Sequence, residues 1–164
     1  MEFEVVAPDA EEVRGGDPGD AVLESARRKA GAVEAAGALV IGCDTEVTID
    51  GRALGKPGDE TAARERLALL SGRSHEVLSG LALLGPEPER IREGVGRTVV
   101  SFRDLGAEEV DSYIASGEWS DRAGGYAIQG LGSILAERIE GDLSNVIGLP
   151  LALLIQLAPE LSPG

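Results

Sequence analysis

Sulfur and imidazole are scarce in this chain, which has one cysteine, Cys43, and one histidine, His75, in 164 residues. A lone cysteine cannot close an internal disulfide, which suits a reducing compartment. Cys43 has no histidine at a recognisable spacing and reads as a small core residue rather than a nucleophile. His75, in the strand-like SHEVLSG, lacks the companions a metal site would show. Positive charge is also short, with 15 basic against 29 acidic residues and a formal charge of −14. That balance argues against sequence-independent binding to nucleic acid or to an anionic membrane. An anionic small ligand would need a locally basic pocket or a metal. Only two of the basic residues are lysines, Lys29 and Lys56, so either is informative inside a motif. Long apolar runs are missing too: the longest, near Leu149–Ala158, is interrupted by Gln156 and falls well short of the roughly 20 residues a bilayer requires. The opening MEFEVVAPDAEE is acidic without an apolar core, so no secretory signal is expected and the cytoplasm is the expected location.

The length fits about one domain, burying roughly two thirds of its unfolded surface. Residues 3–7 (FEVVA) read as a strand, and DPGD at 17–20 as a loop capping a helix over Ala21–Ala36. An apolar strand reaches Ile41, and Thr45–Ile49 resumes extended structure up to Asp50-Gly51, a strong hairpin signal. Gly58-Asp59 opens an amphipathic helix through Leu70. His75–Leu84 and Arg97–Phe102 read as strands flanking the polar connection GPEPERIREG. A helix is expected over Ala107–Ser116, a strand over Ser133–Arg138, and a C-terminal helix with Pro150 at its first position. Helices and strands alternate without repeats, which defines a single α/β domain.

Three segments put polar groups where packing alone would not ask for them. In GCDTEV, Asp44 and Thr45 end an apolar run; a buried carboxylate is costly unless something pairs with it. In LGKP, Lys56 sits between a glycine turn and Pro57, on a stiff loop. In GGYAIQGLG, Gln129 lies among glycines that permit close approach of a ligand, and its amide offers both a donor and an acceptor to the edge of a base. Plainer readings stand beside these: Asp44 as a turn cap, Lys56 as a solvated charge, Gln129 and its glycines as turn formers. The GLG of 130–132 lacks the third glycine of a dinucleotide fingerprint. The residues alone reach an α/β domain with a polar cleft; acid, lysine and amide together fit a nucleotide.

VIGCDTEVTIDGRALGKP, SGRSHEVLSGLAL, DRAGGYAIQGLGS and IEGDLSNVIGLPL, in this order, resemble the Maf family of nucleotide pyrophosphatases along essentially the whole chain. The resemblance implies a mixed, twisted sheet flanked by helices, related to inosine-triphosphate pyrophosphatases. It implies hydrolysis of a nucleoside triphosphate to monophosphate and pyrophosphate with a divalent cation, Mg²⁺ or Mn²⁺. It also implies a cytoplasmic homodimer that clears modified or surplus nucleotides. By position, Asp44 matches the acid that accepts the proton of the attacking water, and Thr45 and Gln129 match positions tied to substrate choice. Lys56, Glu12 and Lys29 match residues of the same cleft. The AIQGLG segment is similar to the branch acting on dTTP and UTP. Family members begin with a strand and a Ser-x-Ser-Pro-Arg-Arg phosphate turn, whereas this sequence starts at Met1-Glu2-Phe3; residues 1–164 are therefore expected to form an N-terminally incomplete domain. The competing expectation is a non-catalytic nucleotide-binding or division-regulating protein built on the same fold.

Overall fold

The computed structural model describes residues 3–35, 37–85 and 91–162. Helix α1 (Pro18–Gly31) starts where Asp17 accepts hydrogen bonds from the Gly19 and Asp20 amides at 2.9 and 3.1 Å and Pro18 takes the first turn, where its missing N–H costs nothing. It ends at Gly31, short of the expected Ala36. Strand β1 (Val40–Ile49) turns through Asp50 and Gly51, both at positive φ (52° and 73°), into the short β2 (Arg52–Ala53). This is the two-residue hairpin that an Asp-Gly pair favours. Helix α2 (Glu60–Leu70), capped by Asp59, leads to β3 (Ser74–Leu84), and β4 (Ile91–Phe102) lies alongside it. The connection before β4 falls largely outside the described residues. Helix α3 (Ala107–Ser116), strand β5 (Ala136–Glu140), and helices α4 (Leu143–Ile147) and α5 (Leu151–Leu157) complete the order.

The five strands form one sheet, ordered β2-β1-β3-β4-β5. The α/β domain is as expected, but the sheet is not mixed: among the described residues every neighbouring pair is antiparallel. Alternation of helices and strands points to parallel crossovers only when the helices return along a sheet face. Here α2 and α3 pack together, and each brings the chain back close to where it left the sheet. After α3, β5 runs antiparallel to β4, and after α2, β3 runs antiparallel to β1.

Three further expectations are corrected. Residues 3–7 form no strand; Phe3 and Val5 are exposed and no strand among the described residues pairs with them, since extended propensity makes a strand only where a ladder partner exists. The strand expected from Ser133 begins instead at Ala136. A 3₁₀ turn at Gly130–Ile134 comes first, held by the Glu118 carboxylate, which accepts from the Leu131 and Gly132 amides at 3.2 and 3.3 Å. Pro150 precedes α5 as its cap, one place before the expected position.

One face of the sheet carries α1, and the contact depends on two glycines without side chains. A Cβ on Gly42 would sit 2.2 Å from the Ala26 carbonyl oxygen, and one on Gly80 would sit 2.2 Å from that of Val22. These two positions, diagonal to each other across β1 and β3, let the helix backbone lie directly on the strands. The other face buries the main core, in which Val77, Val100 and Phe102 of the sheet meet Leu67, Leu70, Tyr113 and Ile114. A second apolar cluster joins Leu81 and Leu83 to Leu154 and Ala158. Among the described residues no helix is long and apolar enough to cross a membrane.

Candidate active site

Strand β1 pairs with β3 along nearly its whole length, but on its outer side β2 reaches only Thr48 and Ile49. From Val40 to Glu46 that edge has no strand partner among the described residues. A cleft of about 720 Å³ opens there, walled by the N-terminal turn of α1, the 51–56 loop, residues 121–129 and the end of α4. All six residues singled out in the sequence, Glu12, Lys29, Asp44, Thr45, Lys56 and Gln129, line it.

The close seat of α1 on Gly42 and Gly80 brings Lys29 over β1. Its ammonium lies 2.5 Å from an Asp44 carboxylate oxygen and 3.0 Å from one of Glu12. The Asp44 side chain is only 13% exposed, so burial raises its pKa above that of an ordinary aspartate although the Lys29 hydrogen bond pulls the other way. Burial alone would lower the pKa of Lys29, but its hydrogen bonds to Asp44 and Glu12 prevail and hold it higher, so the ammonium stays charged. Glu12 is shifted down, chiefly by its hydrogen bond to Lys29. A firmly cationic lysine thus bridges one exposed carboxylate and one sheltered carboxylate of enhanced basicity.

Thr45 follows Asp44 in a strand and therefore faces the opposite side of the sheet. Its hydroxyl lies 2.8 Å from that of Ser79 and 3.4 Å from the Gly148 carbonyl oxygen, so it ties β1 to the end of α4. Both side chains reach one cleft because the cleft wraps around the open edge between them. Lys56 is half exposed, and its nearest acid, Asp121, is 3.7 Å away. Gln129 caps the 3₁₀ turn with its backbone, and its exposed amide makes no side-chain hydrogen bond among the described residues.

The sequence reading missed how cationic this wall is. Arg14, Arg52, Arg66 and Arg122 join the two lysines, so six cations face four acids, Glu12, Asp44, Glu46 and Asp121. The lining reverses the balance of a strongly acidic chain, which is what attracts a polyanion to one place on it. Glu46 was legible, being two residues beyond Asp44 in a strand; the arginines come from four separate segments and carry no local signal.

Cys43 and His75 keep their plain roles. Burial pushes the Cys43 thiol up to about 11, far from a reactive thiolate, and its sulfur donates to the Gly148 carbonyl at 3.1 Å. His75 is buried, edge-on to Phe102 and Tyr126, with Nε2 2.7 Å from the Tyr126 hydroxyl.

A one-domain α/β fold whose open sheet edge carries a lysine bridging two carboxylates in a cation-rich cleft belongs with the proteins that take small polyanionic ligands. Residues 1–161 match the family described as Maf-like protein, and the chain belongs to that family. It is 44% identical over 158 residues to the protein named dTTP/UTP pyrophosphatase from Bacillus cereus (strain B4264), covering 94% of this chain and 82% of that one. Proteins of the same name from Dictyoglomus thermophilum and Bacillus cytotoxicus are 43% and 44% identical. They cover 96% and 99% of this chain and 84% and 86% of their own lengths.

Proposed function

We propose that this chain hydrolyses nucleoside triphosphates, dTTP and UTP foremost, to the monophosphate and pyrophosphate. The observation that carries the reading is the Glu12–Lys29–Asp44 cluster at the head of the cationic cleft. Phosphoanhydride hydrolysis asks the protein for positioning and charge stabilisation, with one base for the water. Asp44, sheltered and more basic than a free aspartate, takes the proton of the water that attacks phosphorus. Lys29 orients that carboxylate, and Lys56 is free to meet phosphate oxygens, its tie to Asp121 being long and exposed. The leaving group departs as pyrophosphate. Gln129 offers its amide to the pyrimidine edge, while Thr45 acts on substrate choice by holding the α4 end that walls the cleft.

Among the described residues no three His, Cys, Asp or Glu side chains converge as a metal cage. Mg²⁺ and Mn²⁺ need none: a hard cation bound with a triphosphate takes one or two carboxylates plus phosphate oxygens. The oxygens of Glu12 and Asp44 fit that donor set, since both already converge on one cation, Lys29. When bound there, the metal would neutralise charge developing on the phosphates. A cytoplasmic homodimer completes the proposal, supported by family membership.

The test is pyrophosphate release from a panel of nucleoside triphosphates with Mg²⁺ or Mn²⁺. Turnover led by dTTP and UTP supports the reading. Binding of these nucleotides without turnover would replace it with the non-catalytic nucleotide-binding reading.

A further inference from the structure

Lys56 lies on a loop, yet the residue just before it, Gly55, is held through both its N–H and its carbonyl oxygen. The Gly55 N–H donates to Glu46 Oε1 at 2.8 Å, and the same oxygen accepts from the Val47 N–H at 2.9 Å. The Gly55 carbonyl oxygen accepts from Arg66 Nη1 at 2.5 Å and from the Gly124 N–H at 3.0 Å. Gly55 has a positive φ of 59°, a conformation that a free chain has no reason to keep, and the following Pro57 is buried. By contrast, among the described residues the Lys56 ammonium pairs only with an exposed aspartate, Asp121, 3.7 Å away. The backbone under Lys56 is thus fixed while its charge is left available. The two side chains that fix it come from different elements, the middle of β1 and α2, and both border the cleft.

We propose that Glu46 and Arg66 are positioning residues that clamp the Gly55 peptide and thereby aim Lys56 at the phosphates of a bound triphosphate. The proposal rests on reading the cleft as a triphosphate site. A fixed cation stabilises a phosphate better than a wandering one because no ordering is left to be done on binding. Glu46 supplies an acceptor that a side chain of similar size without oxygen cannot. A glutamine retains a carbonyl acceptor at the same reach.

A double-mutant cycle tests the clamp. Glu46→Leu is expected to lower kcat/KM for dTTP by roughly tenfold, the order of one lost orienting hydrogen bond, and Glu46→Gln to recover most of that loss. In a Lys56→Ala background the same Glu46→Leu change is expected to cost less than about twofold, because an effect that runs through Lys56 vanishes with it. Equal losses in both backgrounds, or no loss in the parent, would overturn the proposal. The cycle is repeated with Arg66→Met, which releases the other side of the peptide and serves if Glu46→Leu does not fold. Calorimetric binding of inorganic triphosphate to the same variants separates the two layers of inference. If the parent binds but does not turn over, the proposed reaction fails while the cycle in binding still decides the clamp; if the parent neither binds nor turns over, both fall.

Discussion

Acid should weaken this fold through His75 as pH falls from 7 to 5. The ring is 2% exposed, packed against Phe102 and Tyr126, and among the described residues its Nδ1 has no hydrogen-bond partner. Burial lowers its pKa from 6.5 to about 4. A proton would turn a neutral ring into a buried cation whose Nδ1–H meets no acceptor among the described residues. The unfolded chain takes up that proton near pH 6.5 and the folded one only near 4. Stability is therefore fully present above 6.5 and is lost as pH falls through this window. The full span corresponds to roughly 3 kcal/mol, and the fall from pH 7 to pH 5 to about 2 kcal/mol. Urea unfolding at half-unit steps from pH 8 to 5 reads this directly when the parent is compared with His75→Gln, which puts a neutral amide in the same place. The variant starts less stable at pH 7, and the gap should close by about 2 kcal/mol at pH 5. A gap constant across that range would refute the reasoning, whatever the absolute stabilities.

Asp44→Asn should keep the fold and lower kcat by about 10²–10⁴, the usual share of a general base; full pyrophosphate release by the variant would remove Asp44 from that role. Gly80→Ala forces a Cβ to 2.2 Å from the Val22 carbonyl, and urea titration should find it about 1–3 kcal/mol less stable. Gly58→Ala, which meets nothing within 4 Å, is the matched control. Gln129→Ala should reduce kcat/KM for dTTP about tenfold, the worth of one base contact, and much less for purine triphosphates; equal losses on every base would contradict its assignment.

How much of the fold could be read in advance depended on whether the signal was local. The Asp-Gly hairpin, the Asp59 cap and the helix over Ala107–Ser116 are carried by a few adjacent residues and appear where expected. Strand direction is not local. Whether α2 lies along a sheet face or beyond its end is decided by the apolar pairs it can bury, and Leu67 and Leu70 find Tyr113 and Ile114 of α3 in the same core. Glu118 shows the same limit on a smaller scale: from 13 and 14 residues away it takes the amides of Leu131 and Gly132 and fixes a 3₁₀ turn where the strand expected from Ser133 would begin.

The site divides along the same line. Asp44 betrays itself because a carboxylate at the end of an apolar run demands a partner, and Lys29 is that partner. The meeting, however, is produced by Gly42 and Gly80, which would pass for turn or flexibility signals anywhere else. Thr45 is the reverse case: beside Asp44 in sequence, it faces the other side of the sheet and spends its hydroxyl on Ser79 and Gly148. Adjacency in a strand separates two side chains, and an edge with no strand partner among the described residues lets one cleft reach both. Had β2 extended along β1 as far as Asp44, the same residues would stand on two faces of a closed sheet and serve two different surfaces. The short hairpin that ends at Ala53 is therefore as much a part of the site as the acid it leaves uncovered.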